Sequence, residues 1–173
     1  MKTTQTILLK NRPTGEPTLD DFEFTETEIP ELNDSEVLVS TQYVSVDPYL
    51  RGRMSDAPSY IEPFELGKPI ASGVIAKVIE SKSNDFTAGD FVSGMMPWKE
   101  TQVVNTQGLT KVDPDQAPLS AYLGILGMTG LTAYFGLTDI GQPKEGETLL
   151  VSGAAGAVGT VVGQIGKILG LRV

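Results

Sequence analysis

The strongest hydrophobic pattern in the chain lies over residues 147–170. A short apolar run at 149–151 is followed by a turn of small residues at 153–159. Apolar side chains then recur every three or four positions, as on one face of a helix. These side chains are Val158, Val161, Val162, Ile165, Ile168 and Leu169. The pattern predicts a buried parallel strand, a glycine-rich turn and an amphipathic helix over 157–169, which Gly170 would end.

The first two thirds of the chain show a different pattern, in which short β-favouring segments alternate with turns rich in Gly and Pro. Such a succession predicts a small β-barrel or sandwich. Gly73 falls inside one segment and predicts a bulge or a close approach there. Asp47 and Pro48 predict the start of a helix, with Asp47 as its cap. The predicted strands cover residues 6–10, 22–29, 36–46, 71–81, 91–95 and 101–105.

The pattern becomes helical after Asp113, with stretches beginning at residues 117 and 128. We therefore predict a hinge with helical content near 113–127. The domains would be a β-rich domain over 1–120, then hinge helices and the start of a nucleotide-binding domain over 121–173. A dinucleotide-binding unit needs a second strand after its helix. The chain ends where that strand should begin, so we expect it to be a fragment.

Composition excludes several kinds of chemistry. The 173 residues include no His and no Cys, so a disulfide, a cysteine nucleophile and a Cys/His zinc site are all impossible here. The formal net charge is -9 and no stretch is rich in Lys or Arg, which argues against a nucleic-acid partner. No apolar run reaches the length of a membrane span, and the N-terminus is unlike a signal peptide. We expect a soluble cytoplasmic protein.

The glycine turn is the clearest candidate site. Gly156 and Gly159 match the last two glycines of the dinucleotide-binding pattern, whereas Ala154 stands where the first glycine usually lies. The middle glycine lets a pyrophosphate approach the backbone, and the last lets the helix pack closely. A turn that merely connects strand to helix is the alternative, but the flanking strand and helix favour a nucleotide. The residue that reads the ribose would fall at or beyond Val173, so these residues do not separate NAD from NADP.

Three stretches carry a resemblance to a known family: 45–51 (Ser-Val-Asp-Pro-Tyr-Leu-Arg), 127–137 and 151–165. They resemble the zinc-free branch of the medium-chain dehydrogenase/reductase superfamily, the NADP-dependent prostaglandin reductase-like enone and alkenal reductases. The resemblance implies an α/β fold, with a GroES-like, partly open β-barrel followed by a Rossmann domain. It also implies hydride transfer from NADPH to the carbon-carbon double bond of a small α,β-unsaturated ketone or aldehyde. A homodimer is implied for the full-length protein.

The same resemblance assigns site residues. Asp47, Tyr49 and Arg51 would lie on the substrate side, and no metal is implied. The family's usual proton donor is a tyrosine in the other half, so no catalytic residue is assigned. Tyr49 as a core side chain and Arg51 as a surface cation paired with an acid remain alternatives. The cofactor would contact Met128, Thr132, Ala154, Ala155, Gly156, Ala157 and Gly159, with plain packing as the alternative for Met128.

Two other functions stay open from the sequence. One is a quinone reductase of the same superfamily, and the other is a non-catalytic scaffold that retains the fold. We expect the fragment itself to be inactive and to bind the cofactor weakly. We also expect the helix at 157–169 to leave an apolar face uncovered.

Overall fold

A computed structural model describes residues 2–173 of the chain. It contains two compact units, one extending to Pro114 and the other comprising Asp115–Val173. The division falls within the predicted hinge of 113–127. The assignment of a substrate domain and a nucleotide domain to 1–120 and 121–173 stays a prediction.

The first unit is built from seven strands in two antiparallel sheets. One sheet pairs β1 with β2, and the other has the order β6-β3-β4-β5-β7. Each of the six predicted segments overlaps a strand, although β1 begins three residues before its predicted segment, whereas β7 was not predicted. The strands are β1 Thr3–Leu9, β2 Phe22–Glu28, β3 Glu36–Val44, β4 Ala71–Ser81, β5 Phe91–Pro97, β6 Thr101–Asn105 and β7 Thr110–Val112.

Alternating apolar side chains on the central strands form the main core of this unit. Val37 and Val39 of β3 are fully buried against Val74, Ala76 and Val78 of β4. A second apolar cluster contains Leu9, Leu50, Met54, Phe64 and Ile70. Because Leu50 belongs to helix α1 (Pro48–Arg53), this second cluster fixes α1 against the end of β1.

Strand β1 joins the two sheets by backbone hydrogen bonds. The Ile7 amide donates to the Trp98 carbonyl at 3.1 Å, and the Ile70 amide donates to the Ile7 carbonyl at 3.1 Å. The Thr101 amide donates to Thr4 Oγ1 at 2.8 Å. The N-terminal strand is therefore attached to segments that lie far along the chain.

Of the two features predicted at Gly73, a bulge or a close approach, the bulge is wrong. Gly73 pairs regularly with Met95 of β5, and its carbonyl accepts the Ser45 amide at 2.8 Å. The irregularities lie instead where β3 and β4 pair, after Leu38 and after Thr41 of β3. Glycine in a strand permits a bulge, but the pairing of the neighbouring strands decides where one forms.

The second unit contains two α-helices, α2 (Met128–Phe135) and α3 (Ala157–Ile168). A π-helical turn, Gly136–Gly141, extends α2. The helix predicted from residue 117 is only a 3-10 turn, Leu119–Leu123, which ends at Gly124. An added Cβ at Gly127, the N-cap of α2, would lie 2.5 Å from the Tyr122 carbonyl oxygen, so this chain reversal requires glycine.

The predicted buried strand at 149–151 is also wrong. Only Thr148 forms a parallel bridge, with Arg172, and the Leu149 amide donates to the Arg172 carbonyl at 2.7 Å. Leu150 is 94% exposed. One bridged pair is too short to form a ladder or to bury the side chains beside it, so the apolar run does not become a regular strand.

The helix prediction at 157–169 is confirmed as α3, which buries Val161 and leaves Ile168 82% exposed. The prediction of an uncovered apolar face therefore holds only at the end of this helix, since Val158, Val162 and Ile165 are half-buried. Among residues 2–173, every helix is too short or too polar to cross a bilayer.

Candidate functional site

The glycine turn takes the conformation that its sequence allows. Gly153 has a φ of +61°, in the left-handed region that favours glycine. The Gly156 amide donates to the Gly153 carbonyl at 2.9 Å, which closes the turn just before α3. Because the positive φ falls on Gly153, Ala154 is free of it, and the substitution of alanine for the usual first glycine causes no backbone strain.

Gly159 is required for the contact between α3 and this turn. A Cβ at Gly159 would clash with the Gly153 carbonyl oxygen and would lie 2.9 Å from Ala154 Cα. At Gly156, a Cβ would lie 3.1 Å from the same oxygen. The two glycines therefore hold the first turn of α3 directly over the backbone of the loop.

The geometry of the turn suits an anion. Gly156 is the N-cap of α3, and the amides that follow it have no partner within the helix. Residues 153–157 are exposed, and none of their side chains is larger than a methyl group. No acidic residue lies in the first turn of α3. Free amides and the positive end of the helix dipole favour a phosphate at this position. Ala154, Ala155, Gly156 and Ala157 thus fit the pyrophosphate of a dinucleotide.

Met128 and Thr132 lie on α2 within the same unit. Met128 is 58% exposed, so it does not belong to a core within the described residues. Thr132 is exposed, and its hydroxyl donates to the Met128 carbonyl at 2.7 Å. Leu131, Tyr134 and Phe135 are also exposed, which makes this helix unusually apolar on its surface.

The substrate-side candidates lie at α1 in the first unit. Asp47 is the N-cap and Pro48 the first helical residue, as predicted. The Asp47 carboxylate, however, accepts the Ser45 hydroxyl at 2.5 Å and caps no helix amide. Asp47 is half-buried, and the hydrogen bond from Ser45 holds its carboxylate in place.

Tyr49 is half-buried against the second apolar cluster. Burial raises the pKa of the Tyr49 phenol, and the nearby Asp47 carboxylate raises it further, while Arg53 acts in the opposite direction. The phenol is consequently neutral at physiological pH and able to donate a hydrogen bond. It is both a packing residue and a candidate donor, so the two interpretations of Tyr49 are compatible.

Arg51 does not pair with an acid. Its Nε and Nη2 donate to the Gly15 carbonyl at 3.0 and 2.8 Å, and Nη2 also donates to the Pro13 carbonyl at 3.0 Å. Among residues 2–173, no carboxylate lies within 4 Å of this guanidinium. The predicted surface ion pair is therefore wrong, because the arginine instead connects α1 to the loop at 13–15.

Sequence reasoning did not single out two further arginines near α1, Arg12 and Arg53. Both donate to backbone carbonyls of the segment after the helix. One feature of the sequence could have drawn attention to them. Three of the chain's four arginines occur within 42 positions, in a chain where acidic residues outnumber basic ones. Of the described residues, no three acidic side chains come together in a way that could hold a metal ion.

Comparison with known proteins identifies the family. A model described as the N-terminal domain of oxidoreductase matches residues 5–112. The putative NADP-dependent oxidoreductase YfmJ of Bacillus subtilis (strain 168) is 59% identical over 169 residues, 98% of this chain and 50% of that protein. The chain belongs to the medium-chain dehydrogenase/reductase family. The match includes both the α1 stretch and the glycine turn.

Two other members of this medium-chain family are similar at the level of sequence or structure. The NADP(+)-dependent 2-alkenal reductase of Nicotiana tabacum is 44% identical over 173 residues, 96% of this chain and 50% of that protein. The crystal structure of CurA from Vibrio vulnificus in complex with NADPH has a TM-score of 0.89 and 42% identity, covering 98% of this chain and 50% of that one. The chain thus spans about half the length of these relatives.

The structural match confirms the predicted fold class. The first unit has the GroES-like fold of the family, with antiparallel sheets that do not close into a barrel. The strand order leaves β6 and β7 as the two edges of the larger sheet within the described residues. This agrees with the predicted partly open barrel.

Proposed function

We propose that the protein of which this chain is a part reduces the carbon-carbon double bond of small α,β-unsaturated ketones or aldehydes, with NADPH as hydride donor. The observation that carries the proposal is the glycine turn at 153–159. The amides of the first turn of α3 have no partner within the helix, the side chains of the glycine turn are small and Gly159 packs α3 onto it. The names of the relatives, an alkenal reductase and an NADPH complex, support the choice of cofactor and substrate class.

On the cofactor side, the turn would hold the pyrophosphate through those backbone amides that are not used within it. Its residues are Ala154, Ala155, Gly156, Ala157 and Gly159. Met128 and Thr132 would lie near the nicotinamide. When bound, NADPH supplies the hydride. The part that this chain contributes is to bind and orient the dinucleotide, which requires no titratable side chain.

On the substrate side, Tyr49 would donate a hydrogen bond to the carbonyl oxygen. That oxygen becomes negatively charged as the double bond is reduced, so a positioned donor stabilises the transition state. The raised pKa of Tyr49 keeps the phenol protonated for this role. Asp47 would line the pocket beside it, and Arg51 would act there through the loop at 13–15.

The proposed reaction does not require a metal. An enone is already electrophilic, so orientation of the hydride and stabilisation of the enolate are the main requirements. A chain without His or Cys is compatible with this chemistry. We leave the proton donor to the α-carbon unassigned within these residues.

The test is an assay of the full-length protein. NADPH oxidation is followed with an enone, an alkenal and a quinone, and the NADPH dissociation constant is measured in parallel. We expect turnover with the enone and alkenal and a loss of about 10²-fold in kcat for Tyr49→Phe, the size of one oxyanion donor. Tyr43→Phe is the matched control, because Tyr43 is an exposed phenol on β3.

Two results would contradict the proposal. Tight NADPH binding without turnover of any substrate would favour a scaffold, and a preference for the quinone would favour a quinone reductase. We also propose a cytoplasmic homodimer for the full-length protein, as the family resemblance implies. Light scattering coupled to size-exclusion chromatography tests the dimer.

A further inference from the structure

Arg12 connects the two ends of an irregular segment that follows α1. Its Nη1 donates to the Met54 carbonyl at 3.1 Å, and its Nη2 donates to the Phe64 carbonyl at 3.3 Å. Residues 55–63, which we call the α1 flap, lie between these two points and form neither helix nor strand. One planar guanidinium therefore closes the base of the flap.

The flap has few other attachments. Most of its side chains are exposed, and Tyr60 is 91% exposed. Segments with so little buried apolar surface open readily unless polar contacts hold them. The Asp56 carboxylate lies 3.9 Å from Arg12 Nε but is 83% exposed, so that ion pair contributes little.

Arg53 reinforces the same attachment from α1. Its Nε donates to the Glu62 carbonyl at 3.0 Å, and its guanidinium lies 4.0 Å from the centre of the Phe64 ring. The Phe64 amide donates to the Arg53 carbonyl at 2.7 Å, and the Phe64 side chain is buried in the second apolar cluster. The far end of the flap is thus fixed to the helix that carries Tyr49.

Arg12 is itself held by α1. Arg51 donates to the carbonyls of Pro13 and Gly15, which flank the Arg12 loop on its C-terminal side. Arg51 of α1 thus contacts the loop at 13–15, and Arg12, which precedes that loop, contacts Met54 and Phe64. Arg53 connects the same segment back to α1. All of these acceptors are neutral carbonyls, so the three cations act as multivalent donors between backbone segments.

We propose that Arg12 is a positioning residue that holds the α1 flap against α1 and so fixes one wall of the substrate site beside Tyr49. The second half of this statement rests on the proposed function. Phe64, at the far end of the flap, belongs to the same apolar cluster that Tyr49 packs against. Arg12 does not touch the reacting atoms, since its Nη donors are directed to the Met54 and Phe64 carbonyls at the two ends of the flap.

The first test uses amide hydrogen exchange of this chain. In Arg12→Ala, the hydrogen-bonded amides at the two ends of the flap, those of Ser55 and Phe64, should exchange at least about tenfold faster, because two charge-assisted hydrogen bonds are lost. Amides of β4 should be unchanged, which separates local release from general unfolding. Arg12→Lys should behave like the alanine variant, since a lysine ammonium lacks the planar fork that spans two carbonyls.

Lys10→Ala is the matched control. Lys10 is an exposed cation two residues before Arg12. Its removal changes the net charge by the same amount as Arg12→Ala but leaves the hydrogen bonds from Arg12 to the ends of the flap intact. If Arg12→Ala fails to fold, Arg12→Lys retains the charge and the apolar stem and still tests whether the two hydrogen bonds of the guanidinium hold the flap. Unchanged flap exchange in the lysine variant would overturn the proposal.

The second test uses the full-length enzyme. Arg12→Lys should raise the enone KM about tenfold, leave kcat within about twofold and leave the NADPH dissociation constant unchanged. Faster amide exchange in the flap together with an unchanged KM would refute the role in the substrate site. If the unmodified enzyme reduces no carbonyl substrate, the proposed function and the site role fail together, while the exchange data still decide whether Arg12 clamps the flap.

Discussion

Helix α3 provides a direct test of the glycine turn, because two of its glycines have opposite surroundings. A methyl group at Gly159 would clash with the Gly153 carbonyl oxygen and approach Ala154 Cα to 2.9 Å. A methyl group at Gly163, one helical turn later, would meet only Val173 Cγ1 at an ordinary 3.7 Å. The same substitution should therefore have opposite effects at the two positions.

The magnitudes follow from two terms. Glycine to alanine inside a helix gains about 1 kcal/mol at either position. At Gly159 the clash is with backbone atoms, which do not move aside easily, so overpacking costs about 3 kcal/mol. We expect Gly159→Ala to destabilise α3 by about 2 kcal/mol and Gly163→Ala to stabilise it by up to about 1 kcal/mol.

Amide hydrogen exchange in α3 is the appropriate assay. The single tryptophan, Trp98, lies in the first unit, so its fluorescence does not report on this helix. Exchange should become about 30-fold faster in Gly159→Ala and about fivefold slower in Gly163→Ala. In the full-length protein, Gly159→Ala should also weaken NADPH binding, while Gly163→Ala should not. Equal exchange in the two variants would refute the close contact between α3 and the turn.

Three further predictions concern the first unit. Because burial raises the pKa of Tyr49 in the folded state, its contribution to stability is complete below about pH 10 and is lost above it. The free energy of unfolding should therefore fall less steeply with rising pH in Tyr49→Phe than in the unmodified protein. Identical pH profiles for the two proteins would contradict this. The hydrogen bond from Lys111 lowers the pKa of Asp90, so stability is present above about pH 4 and lost in acid. Asp90→Asn should lower the melting temperature at neutral pH, and this deficit should shrink as the pH falls below about 4; a deficit of unchanged size in acid would argue against the pair. Trp98 Nε1 donates to the buried Ser72 hydroxyl at 2.8 Å, so Ser72→Ala should cost about 1 kcal/mol in urea unfolding. The same loss for Ser72→Ala in a Trp98→Phe background would show that this bond is not responsible.

The sequence was informative wherever local pattern and local structure coincide. Alternation located the strands around Val39 and Val74, and the helical period located α3, because those side chains are buried by the elements that the pattern itself defines. The run at 149–151 failed because the same apolar pattern needs a multi-residue partner strand. Only Arg172 pairs with it among the described residues.

The candidate site divides in the same way. Gly159 was predictable because its role depends on the loop six residues before it. The contacts of Arg51 and Arg12 join segments about 40 residues apart or more, and no spacing in the sequence indicates them. Their acceptors are backbone carbonyls, which every residue possesses, so residue type gives no signal for the partner.

The attachment of β1 also has a consequence for the order of folding. Thr4 accepts the amide of Thr101, a contact that spans 97 positions. Contacts between distant positions form slowly, because the intervening chain must lose its freedom before the contact is made. During synthesis, β1 can pair with β2 early but must wait for residues 98–101 before it can join the larger sheet. β1 therefore precedes the other strands of this unit in the chain but is among the last of them to reach its final partners.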